Sequence, residues 1–183
     1  MALLPYGDEN NPSPRVLEIL ANRNPKLNVH RMLANSELLL QAVFQFSTAL
    51  IDSGKLDSKL REMAICRTAK LTRSIYEWTQ HAPAAIYAGV TPEQVEALEN
   101  WRSAKCFNEL ERLVLQFTDE VTTNVKGKPE TLEALKKYLS PREIIELIMI
   151  IGFWGMVARF LETTEVELEA AAGKINIYTG EAT

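Results

Sequence analysis

The feature that most limits the possible folds is an apolar segment near the C-terminus, ELIMIIGFWGMVARFL, at 146–161. Just before it, SPRE at 140–143 matches the capping-box pattern that opens helices. Because such a helix is apolar nearly all round, other parts of the protein must cover most of its surface. Its longest apolar run, 147–158, is too short to cross a bilayer. The segment therefore predicts a central core helix, or one that also contacts another subunit.

Amphipathic segments fill most of the remaining chain and predict further helices. Leu39, Val43, Phe46 and Leu50 repeat at helical spacing and predict the buried stripe of one helix. No strand pattern or internal repeat stands out, so the predicted fold class is all-α. The predicted helices cover 15–22, 36–51, 58–71, 74–88, 107–125, 130–139 and 141–161, with a turn at 29–34 and a capped helix start at 91–94.

Length and composition predict one ordinary globular domain over 1–183, with an extended N-terminal arm at 1–14 and a C-terminal arm at 164–183. The C-terminal arm is a candidate to lie on a neighbouring subunit. A net charge of −4 without a basic cluster argues against binding to nucleic acid or to a membrane. Cys66 and Cys106 form neither a disulfide framework nor a zinc-site spacing, and the N-terminus lacks the features of a signal peptide. We therefore expect a cytoplasmic protein.

The segment 60–89 concentrates residues that can carry chemistry. It predicts two helices with a tight joint at 71–73. At about 100° per residue, Ser74, Glu77 and His81 project within about 60° of one another on the second helix. Glu62 stands on the first helix, where the joint can fold it back toward that face. An imidazole with carboxylates beside it is suited to acid–base catalysis, so these four are the candidate catalytic residues.

Each of these residues also has a structural interpretation. His81 could be a core histidine that bonds a backbone carbonyl, and Glu62 could pair with Arg61 or Arg67. Ser74 could cap its helix, an interpretation that we favour over a nucleophile. Cys66 fits a packed small hydrophobe, and Trp78 a packing residue or a pocket wall. The carboxylates and His81 could also hold a metal, but the spacing differs from that of di-iron bundles and a second imidazole is lacking unless His30 reaches in.

Residues 60–98 resemble the carboxymuconolactone decarboxylase family, whose superfamily also holds alkyl hydroperoxidase D. The matching motifs are Arg-Glu at 61–62, Tyr-Glu-Trp at 76–78, His81, Ala-Gly at 88–89 and Thr-Pro-Glu at 91–93. The resemblance implies an all-helical fold, a trimer or hexamer, and no organic cofactor. The hydroperoxidase branch uses a Glu, a CxxC pair and a His as its thiol relay. The resemblance places the Glu on Glu62, the two Cys positions on Ser74 and Glu77, and the His on His81. Both thiols are missing, so disulfide-cycling peroxide reduction has no nucleophile.

The sequence thus favours a cofactor-independent enzyme of the decarboxylase-like branch. The expected substrate is a small carboxylated lactone, enol-lactone or keto acid. We expect protonated His81 to protonate an enolate, with Glu77 holding its ring and Glu62 as a second relay member. Arg67, Arg73 and Trp78 are the candidate substrate-binding residues. An isomerase or dehydratase, a non-catalytic oligomeric scaffold of the same fold and a peroxidase that uses Cys66 remain as alternatives.

Overall fold

A computed structural model describes residues 1–23 and 25–182. Within these ranges the chain forms nine α-helices and no β-strand, with a 3₁₀ turn at Leu98–Asn100, which confirms the predicted all-α fold. The helices are α1 (Pro14–Ala21), α2 (Asn28–Leu33), α3 (Glu37–Ile51), α4 (Ser58–Thr72), α5 (Ile75–Tyr87), α6 (Pro92–Ala97), α7 (Glu109–Asn124), α8 (Pro129–Leu135) and α9 (Pro141–Thr164).

Side-chain caps define several of the helix ends. The predicted capping boxes at Thr91 and Ser140 both form, each with reciprocal hydrogen bonds to the third residue of its helix. A third box joins Asn108 and Glu111, so α7 begins two residues later than the predicted start at Phe107. Phe107 is instead a buried core residue of the preceding loop.

Helix α4 lies at the centre of the fold, and α5, α7 and α9 pack around it. Ten consecutive residues of α4, Leu60–Ala69, are buried. The inner side of α9 contributes a row of large apolar side chains to the main core: Ile144, Leu147, Ile150, Ile151, Phe153 and Trp154. By length and composition α9 could span a membrane, but half of its most apolar window is buried within the fold. This burial is typical of the core helix that the sequence predicts.

The predicted buried stripe of α3 is wrong in its first half, where the buried positions lie one residue later than predicted. Leu39 and Phe46 are 59% and 36% exposed, whereas Leu40 and Phe44 are buried. Several faces of α3 carry apolar residues, so spacing alone fits more than one stripe. The choice is made by α1 and α2, because Leu40 and Phe44 pack against residues of those helices.

The two terminal segments fold back onto the same chain. At the N-terminus, the backbone N–H of Leu3 donates to the carbonyl of Thr164. At the C-terminus, the carboxylate of Glu169 accepts hydrogen bonds from the Tyr76 hydroxyl and the Gln80 amide of α5. The predicted C-terminal arm at 164–183 was a candidate for contact with a neighbouring subunit. Its described part beyond α9, 165–182, instead packs on α5 of the same subunit.

Candidate active site

A left-handed residue at the α4–α5 joint brings the candidate side chains together. Helix α4 ends at Thr72, and Arg73 adopts φ 60° and ψ 27°, which turns the chain back on itself. Ser74 is then the N-cap of α5, and its hydroxyl accepts a hydrogen bond from the backbone N–H of Glu77. Ser74 thus has the capping role that the sequence analysis favoured. The reversal lays α5 along α4 and places His81 against Glu62.

His81 is held on both ring nitrogens. Its Nδ1 lies 2.9 Å from Oε2 of Glu62, and the indole Nε1–H of Trp154 donates to Nε2 at 2.8 Å. Because an indole N–H can only donate, Nε2 must be unprotonated, and the ring proton lies on Nδ1 and is donated to the Glu62 carboxylate. The contacts therefore fix a neutral imidazole with one tautomer. Glu62 holds the ring, whereas the sequence had suggested Glu77 for that role.

Glu62 is a fully buried carboxylate surrounded by donors. The hydroxyl of Tyr178 donates to Oε1 at 2.7 Å, and Nε of Arg61 lies 3.2 Å from the same oxygen. Burial acts to raise the pKa of Glu62, but the hydrogen bonds from His81 and Tyr178 and the charge of Arg61 outweigh it, so the pKa lies below its ordinary value. Glu62 is accordingly the fixed negative charge of the site.

Glu77 is the second buried carboxyl group, and its environment is the opposite one. It is 5% exposed, and its Oε2 atom has no hydrogen-bond partner among the described residues. Burial raises its pKa to about 7, and repulsion from Glu62 and Glu162 adds to the shift. Two neighbouring carboxyl groups with pKa values pushed apart are a common arrangement in acid–base sites.

Glu77 and His81 face a cavity of about 260 Å³. Aromatic and aliphatic side chains form most of its wall, and α2, α3, α5, α9 and the C-terminal segment all contribute. Its polar lining residues include Arg23, His30, Ser47, Thr48, Asp52, Glu77, Gln80, His81 and Tyr178. Glu62 and Ser74 are buried but do not line it. Of the four predicted catalytic residues, Glu77 and His81 thus line the cavity. Glu62 bonds the His81 imidazole from behind the wall, and Ser74 caps α5.

The three residues predicted to bind substrate lie away from this cavity. Arg67 donates to the Asp119 carboxylate at 2.6 Å and to the carbonyls of Leu98 and Glu99, so its guanidinium joins α4 to α7 and to the 3₁₀ turn. Arg73 is exposed at the joint. Trp78 packs against a separate core cluster, with the Lys70 ammonium 3.6 Å from its ring centroid.

Four residues of the site were not predicted from the sequence: Arg23, His30 as a wall residue, Trp154 and Tyr178. The apolar residues around Trp154 predicted a core position, and in the sequence only its indole N–H indicates that it can also make a polar contact. Tyr178 lies in the C-terminal segment, 116 residues after Glu62, and no local spacing predicts such a contact. Arg23 precedes α2 in a loop, where its position depends entirely on tertiary packing. These residues were predictable only from the three-dimensional arrangement.

Cys66 lies beside the carboxylates but is poorly suited to thiol chemistry. It is completely buried, and burial together with the charges of Glu62 and Glu77 raises the pKa of its thiol well above the ordinary value. The thiolate is the nucleophilic form, so this environment suppresses reactivity. Within the described ranges, no three His, Cys, Asp or Glu side chains are grouped as a metal site.

Comparison with known proteins relates this site to a family. The model of the carboxymuconolactone decarboxylase family matches residues 37–120, which include α3–α6 and most of α7. No curated protein sequence gives a match. The matched range contains Glu62, Ser74, Glu77 and His81, but neither Trp154 nor Tyr178.

Several solved structures share the fold. An alkylhydroperoxidase AhpD core, an uncharacterized peroxidase-related protein from Ralstonia eutropha JMP134, aligns over 96% of this chain and 97% of its own with a TM-score of 0.79 and 19% identity. A peroxidase-related protein from Silicibacter sp. TM1040 aligns over 81% and 79%, with a TM-score of 0.73 and 22% identity. The debrominase Bmp8, as a variant bound to 2,3,4-tribromopyrrole, aligns over 93% and 91%, with a TM-score of 0.73 and 20% identity.

The structural matches agree with the sequence match on the helical domain around the α4–α5 pair. At 19–22% identity the solved structures show only that the fold is shared. The evidence for a relationship in sequence is the match of residues 37–120 to the family model. Residues 37–120 thus match the carboxymuconolactone decarboxylase family, and the chain shares the fold of the alkyl hydroperoxidase D-like structures.

Proposed function

We propose that this protein is a cofactor-independent enzyme that acts by acid–base catalysis on a small carboxylated lactone or keto acid, with decarboxylation as the reaction. The observation that carries the proposal is Glu77: a buried carboxyl group on the cavity wall whose Oε2 atom has no hydrogen-bond partner in the described part of the chain, with a pKa of about 7. A group with such a pKa is substantially populated in both protonation states at neutral pH, as a proton donor and acceptor should be.

In the proposed reaction, the bond between the carboxylate carbon and its neighbour breaks, and carbon dioxide leaves. The electron pair of that bond stays behind as an enolate, conjugated with the carbonyl of the lactone or ketone. Protonated Glu77 then donates its proton to the enolate carbon, and the resulting Glu77 carboxylate recovers a proton from water. Proton transfer from a positioned group of this kind contributes about 10²- to 10⁴-fold to rates.

The Glu62–His81 pair supports Glu77 in this scheme. The negative charge of Glu62 raises the pKa of Glu77 and so favours its protonated form. His81 cannot donate from Nε2, because that atom already accepts the indole proton of Trp154. The hydrogen bonds therefore favour Glu77 over His81 as the proton donor, a change from the roles that the sequence suggested.

Arg23 takes over the carboxylate-binding role first assigned to Arg67 and Arg73. It lies on the cavity wall with its guanidinium carbon 3.7 Å from the centroid of the Phe44 ring, and no ion pair to it occurs among the described residues. His30, next to it on the wall, has a buried Nδ1 without a described partner. A substrate carboxylate beside Arg23 would place the rest of a small molecule toward Glu77.

The two rival functions are less well supported. A scaffold protein has no use for an unpartnered buried carboxyl group, which lowers stability, and such groups cluster at functional sites. A peroxidase would need a reactive thiolate, and the environment of Cys66 opposes one. Isomerisation or dehydration would use the same residues, so product analysis has to separate these reactions from decarboxylation.

The test is release of carbon dioxide from carboxymuconolactone and from a panel of 3-oxo acids and carboxylated enol-lactones, with products identified by NMR. We expect turnover of at least one compound and a loss of about 100-fold or more in Glu77→Gln. Glu133→Gln, which changes an exposed glutamate of α8 paired with Lys136, is the matched control and should retain full activity. A Glu77→Gln variant as active as the control would contradict the proposal, as would an inert wild-type protein.

A further inference from the structure

We propose that Tyr178 is a positioning residue of this site: its hydroxyl fixes the rotation of the Glu62 carboxylate and thereby the orientation of His81. This inference rests on the proposed acid–base function, in which the Glu62–His81 pair supports Glu77. The residue stands in the C-terminal segment, outside the range matched by the family model. It would make this segment part of the catalytic apparatus.

The hydrogen bonds at Glu62 supply the geometric basis. Oε1 accepts from the Tyr178 hydroxyl at 2.7 Å, whereas Oε2 faces Nδ1 of His81 at 2.9 Å. Each carboxylate oxygen thus has its own donor, and the carboxylate cannot rotate without losing both bonds. The Tyr178 ring also meets the imidazole edge to face, with ring centroids 6.3 Å apart. Tyr178 therefore restrains His81 through its hydroxyl and through its ring.

The local backbone explains why Tyr178 can hold this position. The side-chain oxygen of the buried Asn176 accepts hydrogen bonds from the backbone N–H groups of Tyr178 and Thr179. An isolated antiparallel bridge between Ile175 and Ala182 closes the turn that contains them. The turn presents the Tyr178 side chain inward, where it also lines the cavity. Such a defined turn in a terminal segment is consistent with a positioning role rather than with loose packing.

A second attachment holds the same segment without touching Glu62. Glu169 accepts hydrogen bonds from the Tyr76 hydroxyl and from the backbone N–H of Asn28. Tyr76 is a buried tyrosine that lines the cavity, as the partly buried Tyr178 does. Its hydroxyl group bonds the segment instead of the carboxylate of the site. The two tyrosines therefore allow docking of the segment to be separated from the positioning of Glu62.

Loss of the Tyr178 hydroxyl has a defined electrostatic consequence. The groups that face Glu62 are Arg61 and Cys66 from α4, Glu77 and His81 from α5, and Tyr178 from the C-terminal segment. Removing one donor from a buried carboxylate destabilises its charged form and moves its titration to higher pH. Oε1 would keep only the longer contact to Arg61. The carboxylate would be freer to rotate, and His81 would be less well oriented.

The experiment compares Tyr178→Phe with Tyr76→Phe by NMR titration of ¹³C-carboxyl-labelled glutamates in the full-length protein, with Glu62 assigned from Glu62→Gln. Both changes remove one hydroxyl that donates to a glutamate carboxylate, and both keep the aromatic ring. We expect the Glu62 titration to move to higher pH by about one unit or more in Tyr178→Phe and to stay at the wild-type value in Tyr76→Phe. Equal behaviour of the two variants, or an unchanged Glu62 titration in Tyr178→Phe, would overturn the proposal.

Kinetics supply the second readout. With a substrate from the carbon dioxide assay, Tyr178→Phe should lower kcat more than it changes KM, and the loss should be small in a Glu62→Gln background because Tyr178 acts through Glu62. Full additivity of the two changes would contradict a positioning role. If no panel compound is turned over, the proposed function fails, but the NMR titration needs no substrate and still decides whether Tyr178 controls Glu62.

Discussion

Glu62 of α4 and His81 of α5 are joined by a 2.9 Å contact between Oε2 and Nδ1, and both side chains are buried. The contact bridges the two helices directly across the joint at Arg73. It gives the site one fixed charge and one neutral imidazole. Glu77, one turn before His81, has no partner for its Oε2 atom among the residues that the structure describes. This division of roles between two carboxyl groups determines how the site should respond to pH and to substitution.

The first prediction concerns the tautomer of His81. In the neutral ring, ¹⁵N NMR should show a protonated Nδ1 and an unprotonated Nε2, because Trp154 can only donate to Nε2. Trp154→Phe removes that donor and should shift the Nε2 resonance, whereas Trp101→Phe, which changes a buried indole bonded to Asp119, should not. A protonated Nε2 in the wild-type protein would show that the relay is arranged differently.

The second prediction concerns stability and Glu77. Its pKa is about 7 in the folded protein and near the ordinary 4.5 when unfolded, so the folded state binds the proton more tightly. The contribution of Glu77 to the free energy of unfolding should therefore fall as pH rises from about 4.5 to about 7, by up to about 3 kcal/mol, and level off above that. Glu77→Gln should abolish this fall.

Urea denaturation at several pH values measures the effect of Glu77→Gln directly. At pH 8 the variant should be more stable than the wild type, and at pH 4 the two should be similar. Glu133→Gln again serves as the control, because this exposed carboxylate carries no comparable burial. A variant that is less stable than the wild type at pH 8 would contradict a raised pKa at Glu77.

The sequence was sufficient for the part of the site that depends on local geometry. Helical periodicity placed Glu77 and His81 on one face, and the predicted joint at 71–73 placed Glu62 opposite them. Periodicity could not predict which carboxylate bonds the imidazole, because Glu62 and His81 lie on different helices and their contact depends on how α4 and α5 pack. It also failed for Tyr178 and Arg23, whose contacts arise where separate segments meet.

The same limit applies to the fold. Capping boxes at Thr91 and Ser140 were predictable because the whole signal lies within four consecutive residues. The buried face of α3 was not, because apolar residues occur on several sides and α1 and α2 decide which of them is covered. Patterns thus predicted the elements and their ends, whereas the packing partners selected the faces.

The third prediction separates the structural arginine from the exposed one. Arg67→Lys should lower the free energy of unfolding by about 2 kcal/mol or more, because a single ammonium cannot replace the bonds to Asp119 and to two backbone carbonyls. Arg73→Lys, at the exposed joint, should change it by less than about 0.5 kcal/mol. Chemical denaturation measures both variants, and a stable Arg67→Lys protein would return Arg67 to consideration as a substrate-binding residue.

The fourth prediction is self-association, for which the outer surfaces of α3 and α9 provide the physical reason. Large apolar side chains are exposed along both helices, including Leu39 and Phe46 on α3 and Met149 and Met156 on α9. On α9 the exposed positions Ile145, Met149, Gly152 and Met156 follow helical spacing, and nothing lies within 4 Å of a Cβ added at Gly152. Phe46 of α3 packs edge to face against the buried Phe153 of α9, with ring centroids 5.3 Å apart, so the exposed surface of α3 begins beside α9.

Exposed apolar surfaces of this kind mark sites of protein association, and soluble oligomers are mostly closed and symmetric. We therefore expect a homo-oligomer, a trimer or a hexamer, by light scattering at micromolar concentration. Introducing charge at the centre of the α9 surface with Met149→Glu and Met156→Glu should dissociate it, whereas Glu133→Gln on α8 should leave it intact. A wild-type protein that scatters as a single 20.6 kDa species would contradict the prediction, because the exposed rows of α3 and α9 would then remain in water.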